Sequence, residues 1–232
     1  MIPAILGLIP ARSGSQGLPG KHMKLLGGKP LIRYTFESAL DAKWLHTIAL
    51  STDCPDIIEY AKGFPAIEIP FLRPSQLAAH DTPSIDFIQH ALTFYKNKGR
   101  RFDYICLLQA TTPFRPNGLI DYAIQLLLDN KAESLVSIHR TPNRYNPYGS
   151  LRMDSENRVT QVIPGKVIPR RQDLPEAFHR DGQIYLTSGH MIERGEIMNP
   201  DTMGLLDEQG PDINIDTLDD WKLAEKWLAD ER

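Results

Sequence analysis

The sequence predicts an α/β fold built on one mostly parallel sheet with helices on both faces. Three observations carry that prediction. Strand-like apolar runs alternate with amphipathic segments through the first half of the chain. The first run opens into a loop rich in glycine and serine. Two further polar turns, Ser51-Thr52-Asp53 and Gln109-Ala110-Thr111, also follow strand-like runs. Ligands of such sheets bind beyond the C-terminal ends of the strands, so all three turns should meet at one crevice.

Each element has a local reason. Ala4 to Ile9 is a short apolar run, suited to a strand buried on both faces. Pro30 to Leu40 carries Leu31, Ile32, Phe36, Ala39 and Leu40, with Pro30 suited to a helix's first turn. His46 to Ser51 reads as a second strand and Asp53 to Ala61 as a short helix. Pro83 to Tyr95 sets Ile85, Ile88, Ala91, Leu92 and Tyr95 on one helical face. A strand at Tyr104 to Leu108, a helix at Asn117 to Leu128 and a strand at Leu135 to Ile138 follow. Arg140 to Pro175 breaks the pattern: it is rich in Pro, Arg, Asn and Tyr and weakly periodic, so an excursion of loops with room for a hairpin is expected to project from the sheet. Regular structure is expected again at Gln183 to Leu186 and, as a strand ending at Asp216, at Ile213 to Ile215. A closing helix starts at Thr217, which has the spacing of a capping box to Asp220, with Asp in place of Glu.

The 232 residues suit one domain over 1–232, with 140–175 as an excursion within it. Apolar residues make up 41% and charged residues 24%, as in ordinary globular proteins. A net charge of −3 disfavours bulk nucleic-acid or anionic-membrane partners. No apolar run reaches the length of a membrane span, and Ile2 to Pro10 lacks the basic flank of a signal peptide. Cys54 and Cys106 have no metal-like spacing and suit reduced thiols in the cytoplasm.

The loop reads Leu8-Ile9-Pro10-Ala11-Arg12-Ser13-Gly14-Ser15-Gln16-Gly17-Leu18-Pro19-Gly20-Lys21. Its glycines are spaced G-x-x-G-x-x-G, which is neither the dinucleotide fingerprint nor a Walker A loop. Backbone amides exposed by such a turn favour phosphate oxygens. Arg12 before the glycines and Lys21 after them suit a polyphosphate better than a single phosphate. The alternative is a surface loop with incidental charges.

Motifs along nearly the whole chain, in order, resemble those of the acylneuraminate cytidylyltransferases, the CMP-sialic acid synthetases. They are Leu8 to Lys24 with Gly28-Lys29-Pro30-Leu31-Ile32; Leu50-Ser51-Thr52-Asp53; Leu72 to Thr82; Leu107 to Arg115; Arg171 to Pro175; Asp181-Gly182-Gln183-Ile184-Tyr185; and Ile213-Asn214-Ile215-Asp216-Thr217. The resemblance implies a Rossmann-like sheet of the nucleotide-sugar transferase type with a dimerisation excursion. It implies attack of a nine-carbon sugar acid's anomeric hydroxyl on the α-phosphate of CTP, with release of pyrophosphate. It further implies Mg²⁺ as cofactor, held by Asp216 and, through its amide oxygen or a water, Asn214. Nucleotide contacts would come from Ala11, Arg12, Ser13, Ser15, Lys21, Arg73, Ala78, Ala79 and Asp81. Sugar contacts would come from Gln109, Arg171, His179, Arg180 and Tyr185. Arg12, Lys21 and Asp216 would carry the catalysis. Asp81 has a second reading, as a cap for the helix after Pro83, and Arg115 reads as a structural closure of its loop. A homodimer is implied, with residues 140–175 reaching over the partner's site.

Four positions depart from the family's pattern: His22 for a common Asn, Gly149 for a lysine, His179 for an arginine, and Asn214 for an aspartate. They cluster around the sugar and the loop's exit, and suggest a legionaminic or pseudaminic acid rather than plain N-acetylneuraminate. His22 and His179 read equally well as neutral packing residues. Competing readings are an enzyme for 3-deoxy-manno-octulosonate, a phosphonate substrate or GTP; a nicotinamide-dependent oxidoreductase, which the glycine spacing disfavours; and a nucleotide-sensing module without catalysis.

Overall fold

The computed structural model describes residues 3–14, 17–165, 168 and 170–231. In chain order its strands are β1 (Ile5–Pro10), β2 (Leu25–Leu26), β3 (Lys29–Pro30), β4 (Thr47–Ser51), β5 (Ile67–Glu68), β6 (Tyr104–Leu107), β7 (Ser134–Arg140), β8 (Leu151–Met153), β9 (Val159–Gln161), β10 (Phe178–Ser188) and β11 (Met203–Leu206). The α-helices are α1 (Leu31–Asp41), α2 (Pro55–Ala61), α3 (Ser84–Asn97), α4 (Leu119–Asp129), α5 (Gly189–Glu193) and α6 (Leu218–Asp230). Seven strands make one sheet in the order β11-β7-β10-β6-β1-β4-β5. β1 runs parallel to β4 and β6, β4 to β5, and β7 to β11, while β10 lies antiparallel between β6 and β7.

Strand alternation explains the two covered faces. Ile5 and Ile9 of β1 point to one core with Ile32 and Phe36 of α1 and Ala123, Ile124 and Leu127 of α4. Leu6 and Leu8 point to the other, with Phe87, Ile88, Ala91 and Tyr95 of α3. A third cluster packs Trp221 and Ala224 of α6 against Leu18, Leu26, Leu31, Phe114, Ile213 and Ile215. Thr217 and Asp220 form the expected capping box of α6. Among the described residues no helix is long and apolar enough to cross a membrane.

Three expectations are corrected. The strand foreseen at Gln183 to Leu186 is the middle of the eleven-residue β10, whose pairing with β7 shifts register between Arg180 and Tyr185. Ile213 to Ile215 forms no strand. It crosses the loop after β6, so a single backbone bond from the Ile215 N–H to the Thr111 carbonyl (2.8 Å) stands in for a ladder. Its alternation survives nonetheless: Ile213 and Ile215 are buried, and Asp212, Asn214 and Asp216 are exposed. Asp81 does not cap α3, because Pro83 fills the N-cap position with no side-chain bond and the Asp81 side chain is 76% exposed. Within 140–175 the hairpin β8–β9 forms, paired Leu151 to Gln161 and Met153 to Val159.

Candidate active site

A cleft of about 490 Å³ opens at the C-terminal ends of β1, β4 and β6. Its wall includes Arg12, Gly17, Lys21, His22, Arg73, Gln109, Thr111, Gly182, Tyr185, Asn214 and Asp216. Two of the three post-strand turns, the glycine loop and Gln109-Ala110-Thr111, line it; Ser51-Thr52-Asp53 does not, and instead sits behind the wall, bonded to Ala11, Ser13 and Arg73.

The loop after β1 is pinned rather than loose. The Ala11 N–H donates to the Ser51 carbonyl at 2.9 Å. Ser13 donates its N–H and its Oγ to the two oxygens of Asp53, at 2.8 and 2.6 Å. Burial alone would raise the Asp53 carboxyl, but these bonds outweigh it and hold the group below its ordinary range. At Gly17 a Cβ would stand 2.3 Å from the Asp216 carbonyl oxygen, so the loop can pass there only as glycine. Gly20, at φ 65°, turns the chain into the short 3-10 turn Lys21–Met23, which buries both Lys21 and His22.

Lys21 is neither solvated nor free. Its Nζ donates to the Ile215 carbonyl at 2.8 Å and to Asp216 Oδ1 at 2.7 Å. Beside it His22 is driven down to about 3, first by burial and then by Lys21, Arg73 and Arg12. It is a neutral imidazole at working pH, and among the described residues its Nδ1 has no hydrogen-bond partner. Arg73 is buried, with Nε on Ser51 Oγ at 2.9 Å, Nη2 on the Ser51 carbonyl at 2.5 Å, and its guanidinium 4.6 Å from the centre of the Phe87 ring. Burial pushes its pKa down to about 10, so it stays cationic.

Behind the Gln109 side of the cleft, buried Arg115 closes its loop, as the sequence implied. It donates to the carbonyls of Gln109, Thr112 and Gln183 and to the hydroxyls of Thr35 and Thr112. That network fixes the loop carrying Gln109 against α1 and β10. Gly182, at φ 82°, lets the β10 bulge reach Thr112 and face the cleft with Tyr185. Asp216 Oδ2 accepts from Asn214 Nδ2 at 3.3 Å.

Not every foreseen residue lies here. Ala79 lines the cleft; Ala11, Ser13, Ala78 and Asp81 do not, though Ala11 and Ser13 brace its loop. His179 instead pairs with Asp212 at 2.8 Å and Thr141 at 3.2 Å, and Arg180 reaches Met198. Both precede the Gly182 bulge, on the part of β10 that leaves the cleft. Ser15 and the Arg171 side chain lie outside the described residues. Thr111, part of a turn expected at the crevice, lines the wall, and so does Thr217, foreseen only as a helix cap; His80, Thr82 and Phe87 join it without having been singled out as site residues.

Among the described residues of the wall Arg12, Lys21 and Arg73 are cations and Asp216 is the one carboxylate. That excess suits a polyphosphate. The donor set of Asp216 and Asn214, one carboxylate and one amide oxygen at an open wall, fits a hard cation that keeps most of its waters and leans on substrate phosphates.

Residues 6–194 match the family model described as Cytidylyltransferase. Among curated proteins, the CMP-N,N'-diacetyllegionaminic acid synthase of Legionella pneumophila is 32% identical, over 97% of this chain and 96% of its own. A pseudaminic acid cytidylyltransferase of Campylobacter jejuni is 30% identical, over 94% of each. A solved CMP:2-keto-3-deoxy-manno-octonic acid synthetase in complex with CTP shares the fold, with a TM-score of 0.72 at 18% identity, covering 99% of this chain and 100% of that one. With its motifs in order and its length matched almost end to end, the chain belongs to the cytidylyltransferase family of nucleotidyltransferases, on the acylneuraminate branch.

Proposed function

We propose that the protein transfers CMP from CTP to the anomeric hydroxyl of a nonulosonic acid of the legionaminic or pseudaminic type. The sugar oxygen bonds to the α-phosphorus and the α–β bridging bond breaks. Pyrophosphate leaves with that electron pair, and the hydroxyl's proton passes to solvent water. The observation that carries the proposal is the convergence of Arg12, Lys21 and Arg73 with Asp216 on one cleft, in a chain whose relatives are named for these sugars.

Arg12 and Lys21 would hold the triphosphate and offset the charge that grows on the departing pyrophosphate. Arg73, fixed on Ser51 and backed by Phe87, shapes the nucleotide end of the cleft. Gln109 and Tyr185 face the sugar's place. Mg²⁺ on Asp216 and Asn214 would neutralise phosphate charge and fix the orientation of its oxygens. The two cysteines, unpaired in the structure, suit a cytoplasmic enzyme.

A homodimer is part of the same reading. Leu151, Met153 and Val159 share one face of the β8–β9 hairpin at 57–64% exposure. A two-stranded hairpin with an apolar face needs a cover to be stable, and a second copy supplies it. That placement would also bring the cations of 140–175 to the neighbouring cleft.

The deciding experiment is a substrate panel with Mg²⁺, scored by CMP-sugar mass and pyrophosphate release. CTP with legionaminic or pseudaminic acid should give product. Preference for 3-deoxy-manno-octulosonate, for N-acetylneuraminate or for GTP would overturn the assignment, as would CTP binding with no turnover on any sugar acid.

A further inference from the structure

Behind the β10 bulge, three metal-ligating side chains come together that the reaction does not use. His139 from β7, Asp181 from the bulge and Asp207 just past β11 place one ligand atom each within 4.8 Å of one another. All three are buried, at 6%, 5% and 5% exposure. Asp181 accepts from Ser137 Oγ (2.5 Å) and the Gln183 N–H (2.8 Å). Asp207 accepts from the N–H groups of Gln209 (2.9 Å) and Gly210 (3.2 Å). The Gln183 amide bridges both carboxylates, at 3.1 and 2.8 Å. Every one of these donors is neutral. Among the described residues the one ion-pairing side chain near either carboxylate is His139, whose Nδ1 stands 4.0 Å from Asp181 Oδ2. The buried Arg115 guanidinium also acts on Asp181 without pairing with it, so among the described residues one fixed cation serves two buried carboxylates.

Independent of the acids, two polar atoms at this place have no hydrogen-bond partner among the described residues: His139 Nε2 and Gln183 Oε1. Gln183 is 3% exposed, and its amide already sits between the carboxylates. Turning that amide over would offer its oxygen to the same point.

We propose that His139, Asp181 and Asp207, with Gln183 as a fourth donor, form a buried site for a divalent cation. An imidazole nitrogen with carboxylate and amide oxygens suits Zn²⁺ or Mn²⁺ better than Mg²⁺. Ligand atoms around a bound Zn²⁺ are roughly 3.4 Å apart, so side-chain shifts of about 1 Å close the site. Asp181 and Gln183 flank Gly182, which lines the cleft. The cation would therefore lock the bulge that shapes the cleft's sugar wall, without itself touching substrate.

The site stands apart from the assigned reaction, and its test needs no turnover. The full chain is stripped with a chelator, loaded with Zn²⁺ alone or Mn²⁺ alone, desalted and assayed for metal. An Asp216→Ala background removes the cleft's carboxylate. The proposal expects one equivalent of metal retained in that background and a melting temperature raised by several degrees. It also expects Co²⁺ to give visible bands that disappear in His139→Leu. Asp207→Asn should lose the metal as well; should that variant fail to fold, His139→Leu decides. A wild-type chain that retains no metal overturns the proposal, as does a folded His139→Leu that keeps a full equivalent.

Discussion

Lys21 Nζ lies 2.7 Å from Asp216 Oδ1, joining the glycine loop to the segment before the closing helix across 195 residues of sequence. The lysine side chain is 8% exposed and the aspartate 63%, so the pair is an inward cation met by an outward anion. On the proposed reaction, incoming phosphate would compete with Asp216 for Lys21 and free Oδ1 for a cation. CTP and metal would thus open the same resting contact together.

Lys21→Met should lower kcat/KM about 10²- to 10³-fold, the scale for losing one preorganised charge stabiliser. Asp216→Asn should separate two effects. CTP binding without Mg²⁺ should hold or tighten, since Lys21 no longer has a competing anion, while Mg²⁺-dependent turnover falls. Calorimetric CTP titration beside steady-state kinetics checks both. Full turnover in Asp216→Asn would remove the aspartate from the metal reading.

Arg115 is a prediction about stability. Its pKa is pushed down to about 10 by burial, so it remains charged, and it feeds three carbonyls and two hydroxyls. Arg115→Leu would leave several buried acceptors unpaired, at about 1–3 kcal/mol each before relaxation, so a net loss of about 3 kcal/mol is expected. Urea unfolding measures it. A loss under about 1 kcal/mol would mean that water replaces the guanidinium.

Much of this was legible because its signals are local. The periodicity of α1, α3 and α4, the apolar runs of β1, β4 and β6, and the Thr217–Asp220 box are all set within a few residues. β5, α5 and β11 escaped because two to five residues carry no period. β10 looked short because the Asp181-Gly182 bulge interrupts its alternation. Asp81 stood at a capping distance from α3, but a cap needs the side chain to turn back over the first amides, and Pro83 takes that place. The Lys21–Asp216 pair and the His139–Asp181–Asp207 cluster join distant segments, which only the sheet's strand order brings together.

His22 fixes a pH dependence. Unfolded histidine titrates near 6.5, while burial and the cations Lys21, Arg73 and Arg12 bring the folded group to about 3 against the pull of Asp216. Between those values the unfolded chain binds one more proton than the folded one. Its contribution is therefore complete above pH 6.5 and fades as pH falls, by about 1.4 kcal/mol per unit. His22→Asn should flatten the slope between pH 6.5 and 4.5 in urea melts. Asp53 and Asp220, both held low, add the same sign at more acid pH. Equal slopes in variant and wild type would show that His22 protonates freely in the folded protein.

The hairpin tests the dimer. Leu151→Lys with Met153→Lys puts charge on the exposed apolar face at no cost to the monomer's core, since both side chains are over half exposed. Sedimentation should then report a monomer in place of a dimer, with turnover reduced because the partner's reach is lost. A wild-type chain that sediments as an active monomer removes the dimer from the proposal.

Gly17 tests whether the loop's glycines are flexible or merely small. Its missing side chain makes room for the Asp216 carbonyl, which a Cβ would approach to 2.3 Å. Neither partner can yield cheaply: one is backbone, and its residue is tied to Lys21 and, through its N–H, to Asp220. Gly17→Ala should therefore push loop and aspartate apart, weakening CTP binding at least tenfold while urea stability changes by about 1 kcal/mol, since the contact lies at the cleft's rim. Gly20→Ala is the contrast. A Cβ there meets nothing, but φ is +65°, so it should strain the turn by about 1 kcal/mol and leave the Gly17 contact intact. If the two variants bind CTP equally well, the close approach of loop to Asp216 has no part in nucleotide binding, and the loop's cations act without that support.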